Sequence, residues 1–266
     1  EGASQRILID SVLIKEANGD GILIVGKEPG PGNVTVINSE FDYNRRQGIS
    51  IVGASDVRIE NNHIHHTNGT SPQFGIDIEP LSGYLVENII IRKNKFHDNF
   101  SGDVVNTSGR NVLIENNTMT QGDIRYYEGP IVLWPNSDNT IRFNNITMRN
   151  GSVNGRSGII QYSRKNSSQK NPAFTYVHDN VCNGCGVYFY WASNVELRNN
   201  QWLDGYIVLQ HFHNLQIFDN RVVQKSRCWA YRFKNVTGAA DGNTLNDEPF
   251  PIPLNLTTGY NGCWIN

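Results

Sequence analysis

The sequence predicts an all-β solenoid of about nine coils, each with at least two short strands, stacked so that successive coils pair as parallel strands. Three observations predict it. A phrase of the form apolar-x-apolar-x-polar-Asn-x-apolar recurs: VRIENNHI from 57, IIIRKNKF from 89, VLIENNTM from 112, TYVHDNVC from 175, VELRNNQW from 195 and LQIFDNRV from 215. Its second turn residue falls at 39, 62, 94, 117, 144, 180, 200, 220 and 243, in steps of 20 to 36 residues. Between these marks a second strand-like phrase returns (GILIV, GISIV, GIDIE, PIVLW, GIIQY, GVYFY), and no helix-length amphipathic segment intervenes.

The first phrase reads as a strand because its apolar residues alternate with period two, and as a strand end because Asn closes it. VTVINSEF from 34 is the same phrase with Ser39 in the Asn place, and IRFNNITM from 141 matches it with a one-residue slip. Stacked coils put the Asn residues above one another, where they bond along a ladder inside the turn. The same stacking predicts a core column of Ile59, Ile91, Ile114, Val177, Leu197 and Ile217. Strands ~4.8 Å apart make nine coils a rod roughly 40 Å long. A leucine-rich repeat would fit the period, but its L-x-x-L-x-L phrase is absent. A sandwich or propeller fits less well, because the Asn mark recurs in an unchanging context.

The chain has 266 residues, with 23 basic against 25 acidic side chains. So even a balance predicts no nucleic-acid partner. No apolar run approaches the ~20 residues of a membrane span, and the first residues, EGASQRILID, carry no secretion signal. Cys182 and Cys185 form C-x-x-C without a second pair at zinc spacing, and Cys182 falls on an apolar position, so it reads as a packed thiol. Cys228 and Cys263 could bridge the tail to the body. From about 246 the repeat breaks. Pro249, Pro251 and Pro253 exclude a central strand and suggest an irregular cap over residues 246–266 on a solenoid of residues 1–245. The N-x-S/T sites follow from an Asn-rich repeat and carry no inference of glycosylation. The segment 163–173, SRKNSSQKNPA, reads as a polar loop at the rim of the solenoid.

These phrases resemble the right-handed parallel β-helix, pectate-lyase-like superfamily. NRRQGISIVGASDVRIENNHIHHTNGTSPQFGIDIEP is similar to stretches of bacterial and phage β-helix proteins, tail spikes and appendages included. The resemblance implies a single-stranded right-handed β-helix in an extracellular, secreted or virion-surface setting. It also implies a polysaccharide partner and, by analogy with tail spikes, a homotrimer. The chain lacks the amphipathic N-terminal helix with which many relatives cap the first coil, which implies residues before Glu1. Activity stays open, because the superfamily holds hydrolases, lyases, epimerases and non-catalytic binders.

Within that frame the stretch QFGIDIEPLSG, residues 73 to 83, draws the eye. With Ile76 and Ile78 inside the coil, Asp77 and Glu79 face out, between loops that lengthen this coil on both sides. Residues two apart on a strand have Cα atoms ~6.6 Å apart, so their carboxyls can stand ~5–8 Å apart, the range of glycosidase acid pairs. Asp103 is expected one strand away at the same height, as a third catalytic acid. Arg45, Arg46, His65 and His66 are expected to bring cations and imidazoles to the same cleft, and Trp134, Tyr162, Tyr188 and Tyr190 to offer sugar-stacking faces if they point outward. On this reading the acids work as donor and base of a hydrolase, without a metal. The rivals are a lyase or epimerase in which the acids hold Ca²⁺ and Arg45 or a histidine takes the proton, and a glycan-binding fibre segment. HFHN at 211–214 spaces two imidazoles like a metal pair, but at a strand end it reads as surface.

Overall fold

The computed structural model describes residues 5–27, 32–122, 129–134, 137–149, 157–162, 173–191, 193–224, 230–252 and 260–262. Cys228, Cys263 and residues 163–172 lie outside the described residues. Among those described there is no helix; short strands wind into coils with three faces. The first face stacks Gln5–Asp10, Gly32–Ile37, Ala54–Glu60, Val86–Arg92, Arg110–Glu115, Asn139–Arg142, Thr175–His178 and Ser193–Arg198 in parallel register. The second stacks three- and four-residue strands, among them Glu40–Asp42, His63–His65 and Lys95–His97. The third carries Asp20–Ile24, Gln47–Ile51, Phe74–Ile78, Gly102–Asn106, Ile131–Leu133, Ser157–Tyr162 and Gly186–Tyr190. Two long strands, Ile207–Phe218 and Tyr231–Asp241, run through the third and first faces of the last coils. Glu248–Pro249 then turns back antiparallel on Thr244–Leu245, and Tyr260–Gly262 runs antiparallel to Tyr231–Asp241.

The core follows from the alternation. Ile59, Ile91, Ile114, Ile141, Val177, Leu197 and Ile217 are register partners in sequence, all with no exposure. Phe41, Ile64, Phe96, Met119, Ile146, Cys182, Trp202 and Val222 fill the second face in the same way. Cys182 is packed as expected, but its sulfur is bonded to that of Cys185 rather than free. Three residues apart across the strand end, both side chains are buried in one coil.

Between the first and second faces runs the Asn ladder. Asn62, Asn94, Asn117, Asn144, Asn180, Asn200 and Asn220 each donate their backbone N–H to the side-chain oxygen of the next rung, at 2.9–3.2 Å, ending on Asn243. Ser39 forms the first rung, donating its N–H to Asn62 Oδ1 at 2.9 Å. The residue before each rung, from Asn38 and Asn61 to Asp219, has φ near +50 to +57°. This left-handed turn favours Asn, Asp and Gly, which explains why the phrase so often reads Asn-Asn or Asp-Asn.

One expectation needs correction. Ile141 pairs with Ile114 and Asn145 with Thr118, so the stretch around 141 has no slip. Its phrase is NTIRFNNI from 139. Buried Asn139 stands where an apolar residue is usual, and Phe143 occupies the left-handed turn position with φ 54°. Asn139 is tolerated inside because Asn106 donates to its oxygen at 2.8 Å while its own amide donates to Ser137.

Candidate functional site

The third face positions the candidate groove. Its outward side chains form one column in register: Leu23, Ser50, Asp77, Val105, Val132, Ile160, Tyr188, Val208 and Arg232. Asp77 is thus outward, as the alternation requires, with Ile76 and Ile78 sealed inside. Yet it is only 3 % exposed, because Ser50 and Val105 flank it along the column and Gln47 donates to its Oδ2 at 2.5 Å. Gln47 is itself fixed, accepting from the Phe74 N–H at 2.6 Å. Burial and the nearby Glu79 carboxylate push the Asp77 carboxyl up to about 7, against a weaker opposite pull from Arg46. Asp77 can therefore hold a proton near neutrality, while Glu79 two residues on is exposed.

Arg46 reaches this cluster, but it is not free. It forms a two-pronged contact to Asp20 at 2.9 and 3.1 Å, and Ser50 Oγ donates to the same carboxylate at 2.8 Å. Arg45 stays exposed beside Gly69 in the preceding turn, and among the described residues it makes no ion pair. Asp20, Gln47 and Ser50 were the members sequence reading passed over. The repeat carries a signal for Ser50, since GISIV and GIDIE align it with Asp77, whereas Asp20 joins only through the register that pairs it with Gln47.

Two further expectations are overturned. Asp103 is not beside Asp77. Gly102 pairs with Phe74 and Val104 with Ile76, so Val105 takes the outward place next to Asp77. Asp103 falls at the height of Gly75, an inward position whose Cβ would meet Ile64 and Asn99. Its Oδ1 accepts from Asn99 at 2.9 Å and from Gln121, it has no exposure, and burial pushes it up to about 8. A doubled contact at the start of the strand, where the N–H groups of Asp103 and Val104 both reach Pro130 O, shifts the alternation by one. His65 and His66 are not in the groove either. His65 ends the strand His63–His65 on the second face and His66 follows in the turn; His65 contacts Glu40 and both contact Asp42. The loop from Thr67 to Gln73 separates them from Phe74–Ile78, and the coil turns a corner there.

The four aromatics point outward on this face. Ile160 pairs with Tyr188 and Tyr162 with Tyr190, while Gln161 and Phe189 between them are buried inward. Trp134 follows Leu133, the partner of Gln161, and is 39 % exposed. Tyr162 packs against an outward apolar floor of Phe74, Val105 and Val132. The outward column of this face thus runs from an acidic end at Asp20, Asp77 and Glu79, over this floor, to half-buried Tyr188 and Tyr190 with Arg232. Asp77 to Tyr188 is four strand spacings, or ~19 Å. At 211–214, His211 stacks flat on Trp191 with centroids 4.0 Å apart and contacts Asn235, so it serves packing.

A family model described as the right handed beta helix region matches residues 2–146. The chain belongs to this family. Over 44 % of its length it is 35 % identical to YclG, an uncharacterised protein of Bacillus subtilis, covering 22 % of that protein. It is 31 % identical to probable pectin lyases F of Aspergillus flavus and Aspergillus oryzae, covering 27 % of each. The chain therefore spans only about a quarter of the length of these curated relatives. Among solved structures, PfbA, a surface adhesin of Streptococcus pneumoniae, shares the fold with a TM-score of 0.50 and 14 % identity over 81 % of this chain and 60 % of its own.

Proposed function

We propose that the groove on the third face binds an extracellular polysaccharide and cleaves it by hydrolysis, with Asp77 as proton donor and Glu79 as its carboxylate partner. The observation that carries this reading is the contrast between Asp77 on the strand Phe74–Ile78 and Glu79 just past its end. Asp77 is buried and held to a proton up to about 7, and Glu79 two residues on is exposed. Acid–base cleavage of a glycosidic bond uses such a division of environments. The outward aromatics Trp134, Tyr162, Tyr188 and Tyr190 supply flat apolar area for sugar rings along the groove.

A second reading, β-elimination, draws support from the similarity to probable pectin lyases. Against it stands the placement of its expected bases: His65 and His66 sit on Asp42 on the second face, Arg45 lies against Gly69, and Arg46, the guanidinium that acts on Asp77, is engaged by Asp20. Incubation with a panel of neutral and acidic polysaccharides separates the readings. New reducing ends without the ultraviolet absorbance of an unsaturated uronate support hydrolysis, and that absorbance supports elimination. Retention of glycan without any cleavage refutes both and leaves a binding groove.

A further inference from the structure

A second cluster, on the second face and away from the groove, carries an inference independent of any glycan activity. Register stacks Asp42 on His65 and His65 on His97, and His66 follows in the turn with φ 54°. Three donor atoms converge there. His65 Nδ1 and His66 Nδ1 are 2.7 Å apart, and Asp42 Oδ1 lies 3.0 Å from the first and 3.1 Å from the second. Protons cannot satisfy this triangle. An imidazole nitrogen offers either one N–H or one lone pair, never both. With an ionised carboxylate at the third corner, at least one of the three contacts must set donor against donor or lone pair against lone pair.

The surroundings sharpen the point. His65 Nε2 lies 3.2 Å from Glu40 Oε1, so an Nε2–H donated to that carboxylate leaves the lone pair on Nδ1, aimed at the other two corners. A carboxylate behind a histidine in this way is the usual outer support of a metal ligand. Asp42 is steadied through its other oxygen by Lys15 at 3.2 Å, leaving Oδ1 to the triangle. The rings are held by stacking: His66 lies on Tyr43 at 4.5 Å, and His65 is stacked between His63 at 4.0 Å and His97 at 4.6 Å. Ligands ~2.0–2.1 Å from a tetrahedral ion stand ~3.3 Å from one another. The observed separations of 2.7, 3.0 and 3.1 Å reach that spacing with adjustments of ~0.2–0.6 Å. An ion at that bond length sits ~1.2 Å above the plane of the three atoms.

We infer that Asp42, His65 and His66 form a binding site for a divalent transition metal of the Zn²⁺ type. Two imidazoles and one carboxylate oxygen suit such an ion better than Ca²⁺, which takes oxygen ligands. The fourth position falls to water or to His97, whose ring lies 5.0 Å from that of His66.

The test uses the whole chain, freed of metal with a chelator and titrated with Co²⁺ and then Zn²⁺. One equivalent of Co²⁺ should give the visible absorption of a low-coordinate nitrogen- and oxygen-ligated ion, and Zn²⁺ should abolish it and raise the melting temperature. His66→Gln and Asp42→Asn should each weaken binding ~100-fold or more, and Glu40→Gln, outside the ligand set, ~10-fold. His178→Gln, on another coil, should change nothing. Circular dichroism checks the fold of each variant; if His66→Gln fails to fold, the shape-preserving Asp42→Asn and Glu40→Gln decide. No binding at micromolar metal, or equal affinity in every folded variant, overturns the site.

Discussion

Cutting one rung of the Asn ladder should cost more than cutting a large surface contact, and Asn94→Ala is the sharpest case. Its side chain takes part in four hydrogen bonds. Oδ1 accepts from the backbone N–H of Asn62 at 2.9 Å and from its amide at 3.1 Å, and Nδ2 donates to Ile59 O at 2.9 Å and to Asn117 Oδ1 at 3.1 Å. Asn94 is 2 % exposed, so water does not replace these partners. At a net ~1 kcal/mol per bond, with an added penalty for the Asn62 N–H left buried without that acceptor, the loss should be ~4–5 kcal/mol. The control is Asn61→Gly. It keeps the left-handed turn and removes only the exposed 2.7 Å bond to Asn38, so it should cost well under ~1 kcal/mol. Urea unfolding followed by circular dichroism and Trp fluorescence, with coincident transitions and an unchanged slope, gives both values. If Asn94→Ala lost under ~1 kcal/mol, or no more than Asn61→Gly, the ladder would not be what joins the coils.

Four other outcomes follow from the same geometry. Asp77→Asn or Glu79→Gln should lower polysaccharide turnover by ~10²–10⁴-fold while the melting temperature holds or rises, whereas Asp103→Asn, inside the coil, should leave turnover near wild type. The Asp77 and Asp103 carboxyls should make stability fall as pH rises, most plainly above pH ~6.5, where the opposite contribution of His63, lowered to about 4 by burial, is complete. Asp77 and Asp103 ionise at about 7 and about 8 in the fold against 3.8 ordinarily, so their contribution is full below pH ~4 and is lost as pH climbs through ~7–8. At ~1.4 kcal/mol per pH unit for each group this amounts to several kcal/mol between about pH 4 and about pH 8, and Asp103→Asn should flatten the slope in urea titrations. Phe143→Asn should gain ~1 kcal/mol, read as a higher urea midpoint, because a bulky side chain holds a left-handed turn with φ 54° there. Trp134→Ala should weaken glycan retention in affinity electrophoresis without moving the melting temperature, since its ring is 39 % exposed.

The architecture was legible in the sequence because a solenoid repeats one local pattern. Alternation decides which side chains enter the coil, and the Asn at the turn bonds only to its counterparts one coil away. Ile59, Ile91 and Ile114 could therefore be placed in one column, and Asn94 on Asn117, from spacing alone. The outward direction of Asp77 came from the same rule. What needed the tertiary structure was everything that depends on register between coils of unequal length. One shifted residue at the start of Gly102–Asn106 turned Asp103 inward and put Val105 beside Asp77. The corner after His66 carried His65 and His66 to another face, onto Asp42 from the preceding coil. The pairing of Arg46 with Asp20 and the burial that lifts Asp77 also arise between coils. Period two says which side of a strand a residue takes. It says nothing of which strand lies beside it or where the coil bends, and side-chain chemistry at a site is decided by those neighbours.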